Sequence, residues 1–160
     1  FKGKSGKEHD IELKDPKVAK IVRGCQDLPG QELFAYRDEN GKSVDITSND
    51  VNQYLKEAVG EDFTAKDFRT WGGSVRAIGC FKKLGDCDHL TKAMINEAYK
   101  ETAKFLGNTV TVCKKYYIHP CVVKNFESGD LCRLSAKKTS ARSGLSSDER
   151  LFLNLLKKNG

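Results

Sequence analysis

Residues Leu106 to Pro120 read LGNTVTVCKKYYIHP, and this stretch decides how the chain is built. The helical spacing of Met94, Ile95, Ala98, Thr102, Phe105 and Leu106 predicts a helix from about Thr91, turned inward along that stripe, and Gly107 stops it. A short helical segment is expected around Val112 to Tyr117, broken near His119-Pro120, because the residue before a proline is pushed out of helical conformation. A long helix, a tight stop and a short helix ending in two tyrosines describe a helical domain.

The pattern extends in both directions. Thr64-Ala65-Lys66-Asp67 resembles a capping box opening a helix whose Phe68, Trp71, Val75 and Ile78 share one face, with Arg69 beside that stripe. From Ser48, the residues Val51, Tyr54, Leu55, Ala58 and Val59 form an apolar helical stripe closed by Gly60. Asp15-Pro16 supplies an N-cap and a first-turn proline for a helix through Val18, Ile21 and Val22, expected to end at Gly24. Leu28-Pro29-Gly30 is a turn, and Leu33, Phe34 and Tyr36 with Val44 and Ile46 predict extended segments around a turn at Asn40-Gly41. The opening residues alternate around Ser5-Gly6 and end on Ile11 and Leu13, as a β-hairpin does, with Lys4 at its tip. Residues 127–143 are polar, basic and aperiodic, as in a loop, and Ser146 to Glu149 offers a second capping box for a final helix with Leu151, Phe152, Leu155 and Leu156. The expected fold class is mainly α with a small N-terminal β-hairpin.

Composition bounds the function. The 160 residues suffice for one domain with a packed core, at 38% hydrophobic and 31% charged residues. Twenty-eight Lys and Arg against twenty-two Asp and Glu give a formal charge of +6 spread along the chain, which suits a polyanionic partner. No apolar run approaches the roughly 20 residues needed to cross a bilayer, so no membrane partner is expected. The six cysteines, without a CxxC pair or a secretory signal, are expected to be reduced thiols in a cytoplasm. Cys80, Cys87 and His89 match no zinc spacing, and no metal site is expected.

Three motifs carry chemistry: GKSG at Gly3 to Gly6, KDFRTWG at Lys66 to Gly72, and LGNT with KKYYIHP between Leu106 and Pro120. GKSG alone is ambiguous with a phosphate loop, but it lacks the upstream glycine and the following helix that such a loop requires. Taken together and in this order, the three motifs resemble those of bacterial and poxvirus-like type IB topoisomerases, over nearly the whole chain.

The resemblance implies a catalytic core shared with tyrosine recombinases, acting on double-stranded DNA as a monomer in the cytoplasm or nucleoid of a bacterium. It implies Tyr117 as the nucleophile, Arg69 as the second catalytic arginine and Lys4 as the hairpin lysine. Asn108 stands where some members carry histidine and bacterial members often carry asparagine, and the nine-residue interval from Asn108 to Tyr117 selects Tyr117 over Tyr116. Lys2, Lys7, His9, Lys66, Thr70, Lys114 and Lys115 are the expected DNA contacts. The implied reaction cuts one strand through a 3′-phosphotyrosyl link and reseals it, with no ATP, metal or other cofactor.

The family's first catalytic arginine and its N-terminal clamp domain have no counterpart in these residues, so the chain is expected to be a catalytic-domain fragment with low activity alone. Two alternatives stand beside this reading. A tyrosine recombinase or integrase would share the fold, but recombinases usually place histidine three residues before the second arginine, where this chain has Lys66. A DNA-binding module without catalysis would account for the missing arginine.

Overall fold

The computed structural model describes Glu8, Asp10, Glu12, residues 14–27, Gly30, and residues 32–84, 91–131 and 144–159. Phe1 to Lys7, His9, Ile11 and Leu13 of the expected hairpin, the Leu28-Pro29 part of the first turn, Cys87, His89 and residues 132–143 of the expected loop lie outside the described residues. Two compact units are present, residues 1–65 and residues 66–160.

In the first unit, helix α1 spans Pro16–Gln26. The Asp15 carboxylate accepts hydrogen bonds from the Lys17 and Val18 amides at 2.8 and 3.1 Å, and Pro16 occupies the first turn, where its missing N–H costs nothing. Gly24 does not end the helix as expected. A glycine stops a helix where its φ turns positive, as at Gly60 and Gly107, and Gly24 is not among the positive-φ glycines. Strands β1 (Ala35–Arg37) and β2 (Ser43–Asp45) pair antiparallel, with Tyr36 opposite Val44. Their turn is held by the Asp38 carboxylate, which accepts from the Asn40 and Lys42 amides at 2.9 and 2.8 Å. Helix α2 (Ser48–Val59) opens on a reciprocal box between Thr47 and Asp50 and closes on left-handed Gly60. Its apolar stripe is present as a stripe, yet none of α2 is buried and Tyr54 is 69% exposed.

The second unit holds the core. It comprises α3 (Ala65–Lys83), α4 (Lys92–Leu106), α5 (Val110–Tyr116), α6 (Pro120–Glu127) and α7 (Ser147–Asn159). Among the described residues the fold is thus mainly α with one two-stranded sheet, as the sequence predicts. Helix α3 is the hub. Phe81 stacks on Phe126 of α6 with centroids 4.0 Å apart and meets the edge of Tyr99 of α4 at 6.4 Å, while Trp71 lies 5.0 Å from Phe152 of α7. Ile78, Val122, Leu131 and Leu155 fill the space between them and are fully buried.

Two inward assignments require correction. Phe68 is 57% exposed, because the buried face of α3 begins only at Gly73, a turn further on. Phe105 is 61% exposed beneath the Arg76 guanidinium at 5.4 Å, since the buried stripe of α4 passes through Ala98, Tyr99, Thr102 and Ala103 instead. Helix α6 was not expected. His119 caps it through its own Nδ1, which accepts from the Cys121 amide at 3.3 Å, and Pro120 takes the first-turn position, so the proline that ends α5 also starts α6. The box at Ser146 and Glu149 is reciprocal: the Ser146 amide donates to the Glu149 carboxylate at 2.7 Å and the Glu149 amide to Ser146 Oγ at 3.3 Å. Glu149 also accepts from Trp71 Nε1 at 3.4 Å, tying α7 to α3. No helix among the described residues is long and apolar enough to cross a membrane.

Phe126→Ala, which empties a fully buried stacked site, is expected to cost about 3–5 kcal/mol in urea unfolding, against about 0.5 kcal/mol or less for exposed Phe68→Ala. The Ser146 amide, the Ser146 hydroxyl and the Trp71 indole hold the Glu149 carboxyl below the usual glutamate range. A folded-state value below the unfolded one makes this stabilisation complete above the ordinary glutamate value and lost as pH falls through the lowered one. Thermal unfolding across a pH series should therefore show Glu149→Gln less stable than the parent at pH 7, with the gap closing in acid. A gap that stays constant would rule out the charge as its source.

Candidate active site

The site grows from the way α4 ends. Gly107 turns left-handed with φ of 70°, the Asn108 amide reaches back to the Ala103 carbonyl at 2.9 Å, and the Gly107 amide to that of Lys104 at 3.2 Å. The carbonyl of Leu106 points out of the helix end instead. Arg69 Nη2 donates to it at 2.9 Å and Asn108 Nδ2 at 3.4 Å. A cation is favoured here because the C-terminal end of a helix carries partial negative charge. Arg69 on α3 and Asn108 after α4 are thus brought to one oxygen.

From there the chain turns directly into α5. Thr109 Oγ1 accepts from the Val112 amide at 3.3 Å and caps a helix of seven residues. Tyr117 is its C-cap, with its amide bonded to the Cys113 carbonyl at 2.9 Å. This returns the tyrosine to Arg69, whose Cζ lies 5.0 Å from the centroid of the Tyr117 ring, a cation–π distance. Tyr117 is half-buried, whereas Tyr116 is 47% exposed, with the Lys66 and Lys115 ammonium groups 5.6 and 5.1 Å from its ring centroid. Arg69 on α3 is therefore brought against both ends of the segment from Asn108 to Tyr117, about forty residues later in the sequence.

The main chain around Tyr117 lies along α3. Thr70 Oγ1 is 3.2 Å from the Lys66 carbonyl and 3.3 Å from that of Tyr116. Ser74, fully buried, accepts the His119 amide at 2.9 Å. Between them, a Cβ at Gly73 would stand 2.4 Å from the Tyr117 carbonyl oxygen and 3.1 Å from Leu106 Cδ1. Gly73, Ser74 and the capping role of His119 were not singled out in the sequence. The available signal was two small residues four and five positions after Arg69, on the helix face that carries it.

The remaining expected residues separate. Lys114 extends over the buried Tyr99 ring at 5.0 Å. Lys66 and Lys115 frame Tyr116, and Thr70 turns its hydroxyl to main-chain carbonyls. Lys2, Lys4, Lys7 and His9 lie outside the described residues. Cys113, on the buried side of α5, and Cys121 have their thiols pushed up by burial, and Cys80 by burial and the neighbouring Glu101 carboxylate. All three are free thiols held toward their protonated, weakly nucleophilic form.

Comparison with known proteins gives the family. Residues 1–143 match the family described as eukaryotic DNA topoisomerase I, catalytic core. DNA topoisomerase 1B of Acanthamoeba polyphaga mimivirus is 32% identical over 127 residues, covering 74% of this chain and 38% of the viral protein. The chain thus spans well under half the length of that relative. With a helical fold that brings an arginine, an asparagine and a tyrosine together, and a family match over most of its length, the chain belongs to the DNA topoisomerase I catalytic-core family as a type IB catalytic domain.

Proposed function

We propose that the protein relaxes supercoiled duplex DNA by cutting one strand through Tyr117 and resealing it. The observation that carries this reading is that Arg69 shares the Leu106 carbonyl with Asn108 and lies over the Tyr117 ring. The Tyr117 hydroxyl attacks a backbone phosphorus, the bond from phosphorus to the 5′-oxygen breaks, and the DNA 3′ end becomes a phosphotyrosyl ester. The 5′-hydroxyl strand rotates and then attacks the ester, expelling Tyr117 and restoring the strand. One phosphodiester is exchanged for another, so no ATP is consumed.

A phenol is ordinarily protonated at neutral pH, and attack therefore needs a strongly positive surrounding or an acceptor for its proton. Arg69 supplies the positive charge beside the ring. One of its N–H groups goes to Leu106, and its planar fork suits two oxygens of a phosphate. Asn108, on the same carbonyl, adds a neutral donor for the non-bridging oxygens. Lys4 on the expected hairpin protonates the departing 5′-oxygen and takes that proton back on resealing. Lys66, Lys114 and Lys115, with Lys2, Lys7 and His9, hold the duplex by its phosphates, giving affinity that falls with salt and depends little on sequence.

In the full-length protein, Tyr117→Phe is expected to abolish the covalent DNA adduct in a denaturing gel and to leave non-covalent duplex affinity within about fivefold, since one hydroxyl contributes about 1 kcal/mol or less. An adduct that survives in this variant and disappears in Tyr116→Phe would refute the assignment. Lys4→Ala should slow cleavage of ordinary DNA by at least about a hundredfold, within the usual range for general acids. A 5′-bridging sulfur leaves without a proton, so cleavage of that substrate should recover; equal impairment on both would remove Lys4 from the acid role.

A further inference from the structure

We infer that Thr70, Gly73 and Ser74 are positioning residues that fix the main chain of Tyr117 against the helix that carries Arg69. The inference rests on Tyr117 being the nucleophile. These three residues follow Arg69 at one, four and five positions, so all four lie within one and a half turns of α3. Each engages a different peptide group: Thr70 the Tyr116 carbonyl, Gly73 the Tyr117 carbonyl, and Ser74 the His119 amide. Four consecutive residues, 116–119, are thereby laid along one and a half turns of helix, with buried Ile118 held between the two hydrogen bonds. Only the side-chain torsions of Tyr117 remain to set where its hydroxyl points.

Gly73 is the contact that admits no substitute. A methyl at that position would sit 2.4 Å from a carbonyl oxygen, where ordinary van der Waals contact begins at 3.4 Å, so the segment around Tyr117 must move by roughly 1 Å. The helix cannot be what moves, because Ala77, Ile78 and Phe81 anchor it in the core one turn further on. A displacement of this size between reacting groups costs on the order of a hundredfold in rate. Gly72 is adjacent and offers the internal comparison, since a Cβ there meets nothing within 4 Å. Each glycine inside a helix is unfavourable by about 1 kcal/mol relative to alanine, and of the adjacent pair Gly72 and Gly73 only Gly73 has a contact that excludes a Cβ.

The test is single-turnover adduct formation by the full-length protein on a duplex whose cleaved strand diffuses away, with duplex affinity measured in the Tyr117→Phe background and folding followed by thermal unfolding. Gly73→Ala should slow adduct formation by about tenfold to a hundredfold while duplex affinity stays within about threefold. Gly72→Ala should react at the parent rate. Thr70→Val, which keeps the shape and removes the hydroxyl, should slow the step by about fivefold, the equivalent of one hydrogen bond, and Thr70→Ser should restore it. If Gly73→Ala fails to fold, the Thr70 pair decides the matter. Parent-like rates in folded Gly73→Ala and Thr70→Val, or losses of rate matched by equal losses of duplex affinity, would overturn the inference while leaving Tyr117 as nucleophile. Adduct formation by the parent through another residue would overturn the functional reading and this inference together.

Discussion

The carbonyl of Tyr117 lies against Gly73 at a distance that leaves no room for a side chain, and the second unit is arranged around that contact. Helix α3 satisfies two demands along its length. Its later turns, from Ala77 to Phe81, are walled by α4, α6 and α7, and this packing fixes the helix as a rigid body. Its earlier turns present Arg69 at an exposed end, supported from behind by the buried part. Because the helix is continuous, the position of Arg69 follows from the packing of Phe81 more than three turns away.

The other half of the site depends on a helix end. An α-helix leaves its last carbonyls without internal partners, and the left-handed turn at Gly107 satisfies those of Ala103 and Lys104 while leaving Leu106 to outside donors. Arg69 and Asn108 are those donors. The same turn aims the chain into α5, whose seven residues return Tyr117 to the Arg69 guanidinium. The nine-residue spacing between Asn108 and Tyr117 is therefore the length of one capped helix and its connections, a physical reason for an interval that otherwise reads only as a motif.

Local chemistry was legible at most places where one side chain decides a backbone feature, Gly24 and the His119 cap being the exceptions. Asp15 with Pro16, the αL glycines at 60 and 107, the turn near Gly41 and the Ser146–Glu149 box all appear where the residue types place them, because caps and turns are made within a few residues. The family could also be read, since motif order and spacing are properties of the chain itself, and with it Arg69, Asn108 and Tyr117 as candidates.

Burial was not legible to the same degree. Helical spacing shows that Val51 and Tyr54, or Phe68 and Trp71, share a face, but what covers that face is decided by other segments, and Tyr54, Phe68 and Phe105 remain exposed while Tyr99 and Phe126 form the core. The sequence by itself determined most of the helices, the ends set by a local cap such as Asp15, Gly60 and Gly107, and the candidate site residues. Only the tertiary structure decided that Gly73 and Ser74 grip the main chain beside Tyr117, because a contact between α3 and residues more than forty positions later depends on how two helices approach, and no local pattern records that distance.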